Sequence, residues 1–227
     1  MHKTSSESAE MYLKTVAELG DGQEPVSLAL VAERLEVTTV SVNEMVKRLV
    51  EQGWLEHIKY KGLQLTDSGR IVAHSVMRRQ RLWECFLVDH LHLNWAGAYE
   101  VACRLEHATS SVLAEALAAY LDHPTICPHG NPIPSADGEI NLDTGLPLPA
   151  LSIGQSAEII SICPTTTAIY AYLQERQLQP GQVVQVLAHA PLEGPLSLLV
   201  GDNEVSLGRN LAKFIRVRPV RPAPRSQ

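Results

Sequence analysis

The chain has 227 residues, 45% of them apolar and 19% charged, which predicts a packed core and excludes wholesale disorder. No run approaches 18 uninterrupted apolar residues and no apolar stretch follows "MHKTSSESAE", so neither a membrane span nor a signal peptide is expected, and the location expected is cytoplasmic. The four cysteines form no CxxC pair, which argues against a disulfide framework or a zinc ribbon, and the net charge of −6 argues against a uniformly basic nucleic-acid binder.

Taken in chain order, residues 1–20 read as a helix. Thr4 and Glu7 match a capping box, and Met11, Tyr12, Thr15, Val16 and Leu19 recur at helical spacing. "GDGQEP" breaks it, Ser27 caps a short helix "LALVAERLE", and after "VTT" a third helix "VSVNEMVKRLVEQ" stops at Gly53. Two helices joined by a short polar link have the shape of a helix-turn-helix. The strand candidates "WLEHI" and "LQLT", separated by the basic turn "KYKG", add a wing, so a winged helix-turn-helix is expected at residues 1–72.

Charge distribution permits this. Residues 1–81 hold 11 Lys/Arg against 11 Asp/Glu, whereas residues 82–152 hold 1 against 9, so the acidity lies mainly outside the predicted DNA-binding third. Thr38, Thr39, Val40, Ser41, Asn43 and Glu44 stand at or near the start of the third helix, where base edges are reached and where Val40 suits a thymine methyl. Ser41 and Glu44 also match a capping box. Lys47, Arg48, Lys59 and Lys61 suit phosphates.

A long helix is predicted from Asp67 or Ser68 through "GRIVAHSVMRRQRLWECFLVDHL", a second over about 96–107, and a third from Thr109 or Ser110 to before Pro124. These make residues 73–140 a helical region whose apolar stripes suit dimerisation. The loop "HPTICPHGNPIPSADGE", with four prolines and two glycines, and a linker at 141–152 follow. "AEIISIC", "QVVQVLAH", "LSLLVGD", "NEVSLG" and "FIRVRPV" then alternate as short strands of a small β-barrel at 153–220, before a tail at 221–227. The fold class is therefore mainly α with small β parts.

"CRLEH" places Cys103, Glu106 and His107 on one helical face. Thiolate, carboxylate and imidazole are all competent ligands for a transition metal. Equally, such a triplet occurs on an ordinary polar helix face over a buried thiol. There is no HExxH, GxSxG or phosphate loop, and no enzyme is expected.

The stretches "EMYLK" (10–14), "VAERLEV" (31–37), "LTDSGR" (65–70), "VMRRQRL" (76–82), "ACRLEH" (102–107) and "CPHGNPIP" (127–134) together resemble the diphtheria toxin repressor family of iron- and manganese-dependent transcriptional regulators. The resemblance covers about residues 5–218. It implies homodimers with a winged-helix domain, a helical metal-binding and dimerisation domain, and a Src-homology-3-like (FeoA-like) barrel. It implies a primary metal site at Met11, Cys103, Glu106 and His107, loaded with Mn(II) or Fe(II), for which Co(II) or Ni(II) substitutes in vitro. It also treats the "CPHG" loop as structural. At the family's ancillary site the matching positions read Gln80, Glu84 and Tyr99, and the added barrel ligands fall near Thr166 and Ile169. Only Glu84 there is a strong ligand. A second ion is then sought near Glu84, with His74, His90 or Glu100 as partners. Lys14 and Gln80 stand where a binuclear manganese site would have ligands. The function implied is a metal-dependent repressor binding palindromic double-stranded operator DNA and controlling metal-homeostasis genes, with no membrane or small-molecule substrate as partner. The alternative is a metal-buffering or metal-delivery protein without operator specificity.

Overall fold

A computed structural model of the chain describes residues 6–20, 25–140, 145–163 and 166–220. They divide into two compact units: residues 1–83, 103–123 and 133–141 form the first, and residues 84–102, 124–132 and 142–227 the second.

In the first unit the helical spacing read from the sequence becomes α1 (Glu7–Leu19), α2 (Leu28–Leu35) and α3 (Thr39–Glu51). The caps differ in part from those read in the sequence. The α1 cap is Ser6, whose hydroxyl accepts from the Ala9 amide, whereas Thr4 lies outside the described residues. Ser27 caps α2 as expected. Thr38 caps α3 by accepting from Ser41 N–H at 3.2 Å, so Ser41 supplies the capped amide and is not the head of a capping box with Glu44. The helices close on Leu13, Val31, Val42, Val46 and Leu49, all buried. Full burial of each such aliphatic side chain stabilises the fold by about 1.5–3 kcal/mol. An ion pair from Arg34 to Glu18, 3.0 Å long and nearly buried, ties α2 to α1.

The wing is an antiparallel hairpin of β1 (Leu55–Ile58) and β2 (Gly62–Leu65). Val26 joins its edge: its N–H donates to Leu63 O at 2.8 Å, and Leu63 N–H returns to Val26 O at 2.7 Å. That approach requires Gly62, whose φ is +124° and where a Cβ would stand 2.3 Å from Val26 O. The Thr66 and Ser68 hydroxyls donate to Gly53 O at 2.7 and 2.9 Å, joining the end of the α3 region to the start of α4 (Asp67–Cys85).

The long helix predicted to run unbroken past residue 85 ends there as an α-helix. Phe86–His90 forms a π-helical turn, closed by Leu91 N–H to Phe86 O, and His92 (φ 54°) stops the run. α5 (Trp95–His107) follows, with Asn94 accepting from the Gly97 amide, and then α6 (Ser111–Tyr120), capped by Ser110.

The second unit carries the expected β domain as a six-stranded antiparallel sheet in the order β3-β8-β4-β5-β6-β7. Its strands are β3 (Leu146–Pro147), β4 (Ser156–Ile162), β5 (Val183–His189), β6 (Leu196–Val200), β7 (Asn203–Leu207) and β8 (Ile215–Pro219). β3 arises inside the segment read as a linker. Two helices were also absent from the sequence reading: α7 (Thr167–Glu175) between β4 and β5, and α8 (Arg209–Ala212) before β8. Tyr170 and Leu173 of α7 are buried in the core with Ile159, Val186, Leu198 and Val217.

Candidate metal centres and nucleic-acid interface

α3 separates its faces cleanly. Val42, Val46 and Leu49 are buried, whereas Thr38, Thr39, Val40, Ser41, Asn43, Glu44, Lys47 and Arg48 are all exposed. Lys59 and Lys61 are exposed at the wing tip, on either side of Tyr60. Tyr60 was not singled out from sequence. It is 94% exposed, has φ 66°, and carries the Lys59 ammonium 5.0 Å from its ring centre. The signal that could have found it is an aromatic residue between two lysines in a hairpin turn.

In the first unit, α5 and α1 bring together ligand atoms of Glu10, Glu106 and His107 within 4.8 Å of one another. Glu106 has no exposed side-chain surface, and neither of its carboxylate oxygens has a hydrogen-bond partner. The same holds for Nδ1 of His107, which lies 3.6 Å from Glu106 Oε1, too far for a hydrogen bond. A buried carboxylate and imidazole left unsatisfied at close quarters are costly unless a cation completes them. This donor set therefore fits a divalent metal ion. Cys103 and Met11 are half-buried on the same two helices, but Cys103 is not part of that close group.

Burial pushes the Glu106 carboxyl above the ordinary carboxylate range, against the pull of Lys14, His107 and Arg79. A carboxyl raised on folding withdraws stability as pH climbs from its ordinary value through the raised one. Metal-free Glu106→Gln is accordingly expected to be more stable than the wild type at neutral pH by about 1–3 kcal/mol. The difference should vanish below about pH 4, where the glutamate is protonated in both states. Denaturant midpoints measured across pH check this.

Glu84 lies in a different setting from the one the sequence suggested. His74, half of whose ring chemistry is occupied by Gly138 O 2.6 Å from Nδ1, belongs to the first unit, and His90 and Glu100 are exposed. The residues that join Glu84 are Cys127 and His129 of the "CPHG" loop, all three buried and with ligand atoms within 4.8 Å of one another. Both nitrogens of His129 face acceptors: Nε2 lies 3.0 Å from Trp95 O, and Nδ1 lies 3.0 Å from Glu84 Oε2. If Nε2–H donates to Trp95 O, a lone pair of Nδ1 confronts the carboxylate, and a proton or a metal ion has to stand between them. Two donors bound to one ion at about 2.1 Å and at right angles are about 3 Å apart, so the spacing fits coordination.

The loop is built to hold that position. Gly130 (φ +78°) lets it approach β4, since a Cβ there would stand 1.9 Å from Ile160 O. Ile162 N–H donates to His129 O, and Asn131 Nδ2 donates to Ile162 O at 2.8 Å. Trp95, Tyr99 and Tyr170 surround the imidazole, with ring centres 4.8, 6.2 and 4.3 Å away. Tyr99 is thus a wall of the cluster, and Ile169 packs into the core. Gln80 is engaged with the Lys14 ammonium. Cys85, next to Glu84, is not among these grouped ligand atoms, and its Sγ donates to Ile126 O at 3.8 Å. Burial together with Glu84 and Asp89 pushes its thiol up to about 12, which keeps it protonated.

Three family models match the chain. These are the iron dependent repressor N-terminal DNA binding domain over residues 4–63, the iron dependent repressor metal binding and dimerisation domain over 66–135, and the FeoA domain over 146–219. The diphtheria toxin repressor of Corynebacterium diphtheriae is 30% identical over 221 residues, 93% of this chain and 96% of that protein. The iron-dependent repressor IdeR of Mycobacterium tuberculosis is 37% identical over 139 residues, 61% of this chain, and the match spans only 59% of that relative's length. Among solved structures, a manganese-dependent transcriptional repressor in complex with manganese is similar with a TM-score of 0.82 and 32% identity, covering 93% of this chain and all of the other. ScaR with bound Cd2+ is similar with a TM-score of 0.83 and 30% identity, covering 93% and 99%.

Proposed function

Since the chain belongs to the diphtheria toxin repressor family, we propose that it is a transcriptional repressor whose binding to palindromic operator DNA, as a homodimer, depends on Mn(II) or Fe(II). The observation that carries this reading is the orphaned carboxylate of Glu106 beside His107, on the helix that faces α1 of the DNA-binding region. Met11, Cys103, Glu106 and His107 are assigned as the primary site. Glu84 is assigned to a second site, with Cys127 and His129 as its partners. Residues 1–72 form the DNA-binding domain in this scheme, 73–140 the metal-binding and dimerisation domain, and 153–220 the barrel domain.

An ion held by residues of both α1 and α5 favours one placement of the reading head. It thereby raises operator affinity, and DNA must tighten metal binding by the same factor. The exposed Val112, Leu113 and Tyr120 of α6 supply an apolar face suited to a second copy of the chain. A two-fold axis then spaces two recognition helices for adjacent major grooves. No helix among the described residues is long and apolar enough to cross a membrane.

A mobility-shift titration with and without Mn(II) or Fe(II) tests the proposal. Metal-dependent retardation of a palindromic site supports it. Tight metal binding with no DNA response favours a metal-buffering protein. On the DNA side, Lys61→Ala should weaken binding to all sequences alike and lower the salt slope by about 1. Asn43→Ala should instead alter the preferred base by about 1–3 kcal/mol. Equal losses for Asn43→Ala on operator and random DNA would contradict base reading at that position.

A further inference from the structure

The structure sets Glu10 of α1, one position before Met11, among the donors. Its carboxylate is held in place: Oε2 accepts from Arg79 Nη2 at 2.7 Å. Arg79 is itself fixed on every side. Its Nε donates to the Glu106 backbone oxygen at 3.1 Å, and Nη1 donates to Ser75 Oγ at 3.1 Å. The guanidinium therefore links α1, α4 and α5 and presents Glu10 to the unsatisfied Glu106 and His107. Arg79 Nη2 also forms an ion pair with Glu106 Oε2 at 3.6 Å, too long for a hydrogen bond, so both carboxylate oxygens of Glu106 keep no hydrogen-bond donor. A plain structural ion pair would need neither the nearby orphan carboxylate nor the orphan imidazole.

We propose that Glu10 is a further metal ligand of this centre, positioned by Arg79. The inference rests on the reading of the centre as metal-binding. The Arg79 hydrogen bond orients the Glu10 carboxylate, the arrangement by which an outer donor positions a coordinating carboxylate. Two donors on one ion at about 2.1 Å lie no more than about 4.2 Å apart, so ligand atoms already within 4.8 Å of one another need only side-chain adjustment to share an ion. Two carboxylates and an imidazole make a harder set than thioether and thiolate alone. They tilt the centre toward Mn(II) relative to Co(II).

The test is a competition titration of the full chain with Mn(II) and with Co(II), alongside the metal-free thermal midpoint as a check on folding. Glu10→Gln keeps the side chain's size and an oxygen for Arg79 but removes the charge. It should weaken Mn(II) binding about 10- to 100-fold and Co(II) binding less, so that the Mn/Co affinity ratio falls. Arg79→Lys should lower Mn(II) affinity more in the wild type than in the Glu10→Gln background, since part of its effect runs through Glu10 and part through Glu106. If Glu10→Gln fails to fold, Glu10→Asp takes its place, with the same change in ratio expected. Unchanged Mn(II) affinity in the Glu10 variant, with His107→Ala abolishing it, overturns this inference and leaves the metal centre standing. Wild-type metal affinity in His107→Ala overturns both.

Discussion

Replacing His107 by alanine should abolish the gain in operator affinity that added Mn(II) or Fe(II) produces. Couplings between two ligands on one protein are typically about 1–3 kcal/mol, so the wild type should show a metal response of about 5- to 150-fold. The variant should show none. It should also remain folded without metal, because Nδ1 of His107 makes no hydrogen bond that its removal could break. Fluorescence anisotropy of a labelled operator, with and without metal, measures the response. A His107→Ala protein that still gains affinity on addition of metal would remove this centre from the mechanism.

The second large effect is expected on stability. His129→Ala takes away the imidazole that faces Glu84 in a fully buried setting and opens a gap among Trp95, Tyr99 and Tyr170. Breaking a buried pair of this kind costs about 3–5 kcal/mol. Glu84→Gln keeps an acceptor for the ring N–H and should cost less, yet it should reduce the stabilisation conferred by added Mn(II), because the ligand charge is gone. Denaturant unfolding of both variants, with and without metal, separates the two roles. A wild-type midpoint for metal-free His129→Ala would show that the cluster does not contribute to the fold.

The reading head was legible in the sequence because its signals are local. Ser27 capping α2, the stop at Gly53 and the "KYKG" turn each act within a few residues. Glu106 and His107 were legible for the same reason, as neighbours on one helix. Cys127 and His129 were not, because their partner Glu84 is more than 40 residues away and only the fold of the "CPHG" loop against β4 brings them together. Glu10 was hidden by its neighbour, since the family pattern directs attention to Met11 and nothing local reveals that Arg79 holds the preceding carboxylate. α7 escaped because "TAIYAYLQE" mixes β-branched and aromatic residues with helix formers, and its helical form is decided by Tyr170 and Leu173 entering the β-domain core.

The pair of backbone bonds between Val26 and Leu63 has a bearing on which operators are tolerated. It stitches the segment entering α2 to the wing, while Arg34 and Glu18 clasp α2 to α1 and Trp54 N–H donates to Leu49 O of α3, so α1, α2, α3 and the wing are tied together. If the operator is palindromic as proposed, the footprint within each half is set by this tied unit. In that reading, insertions or deletions inside a half should weaken binding more than changes to the spacer between the halves.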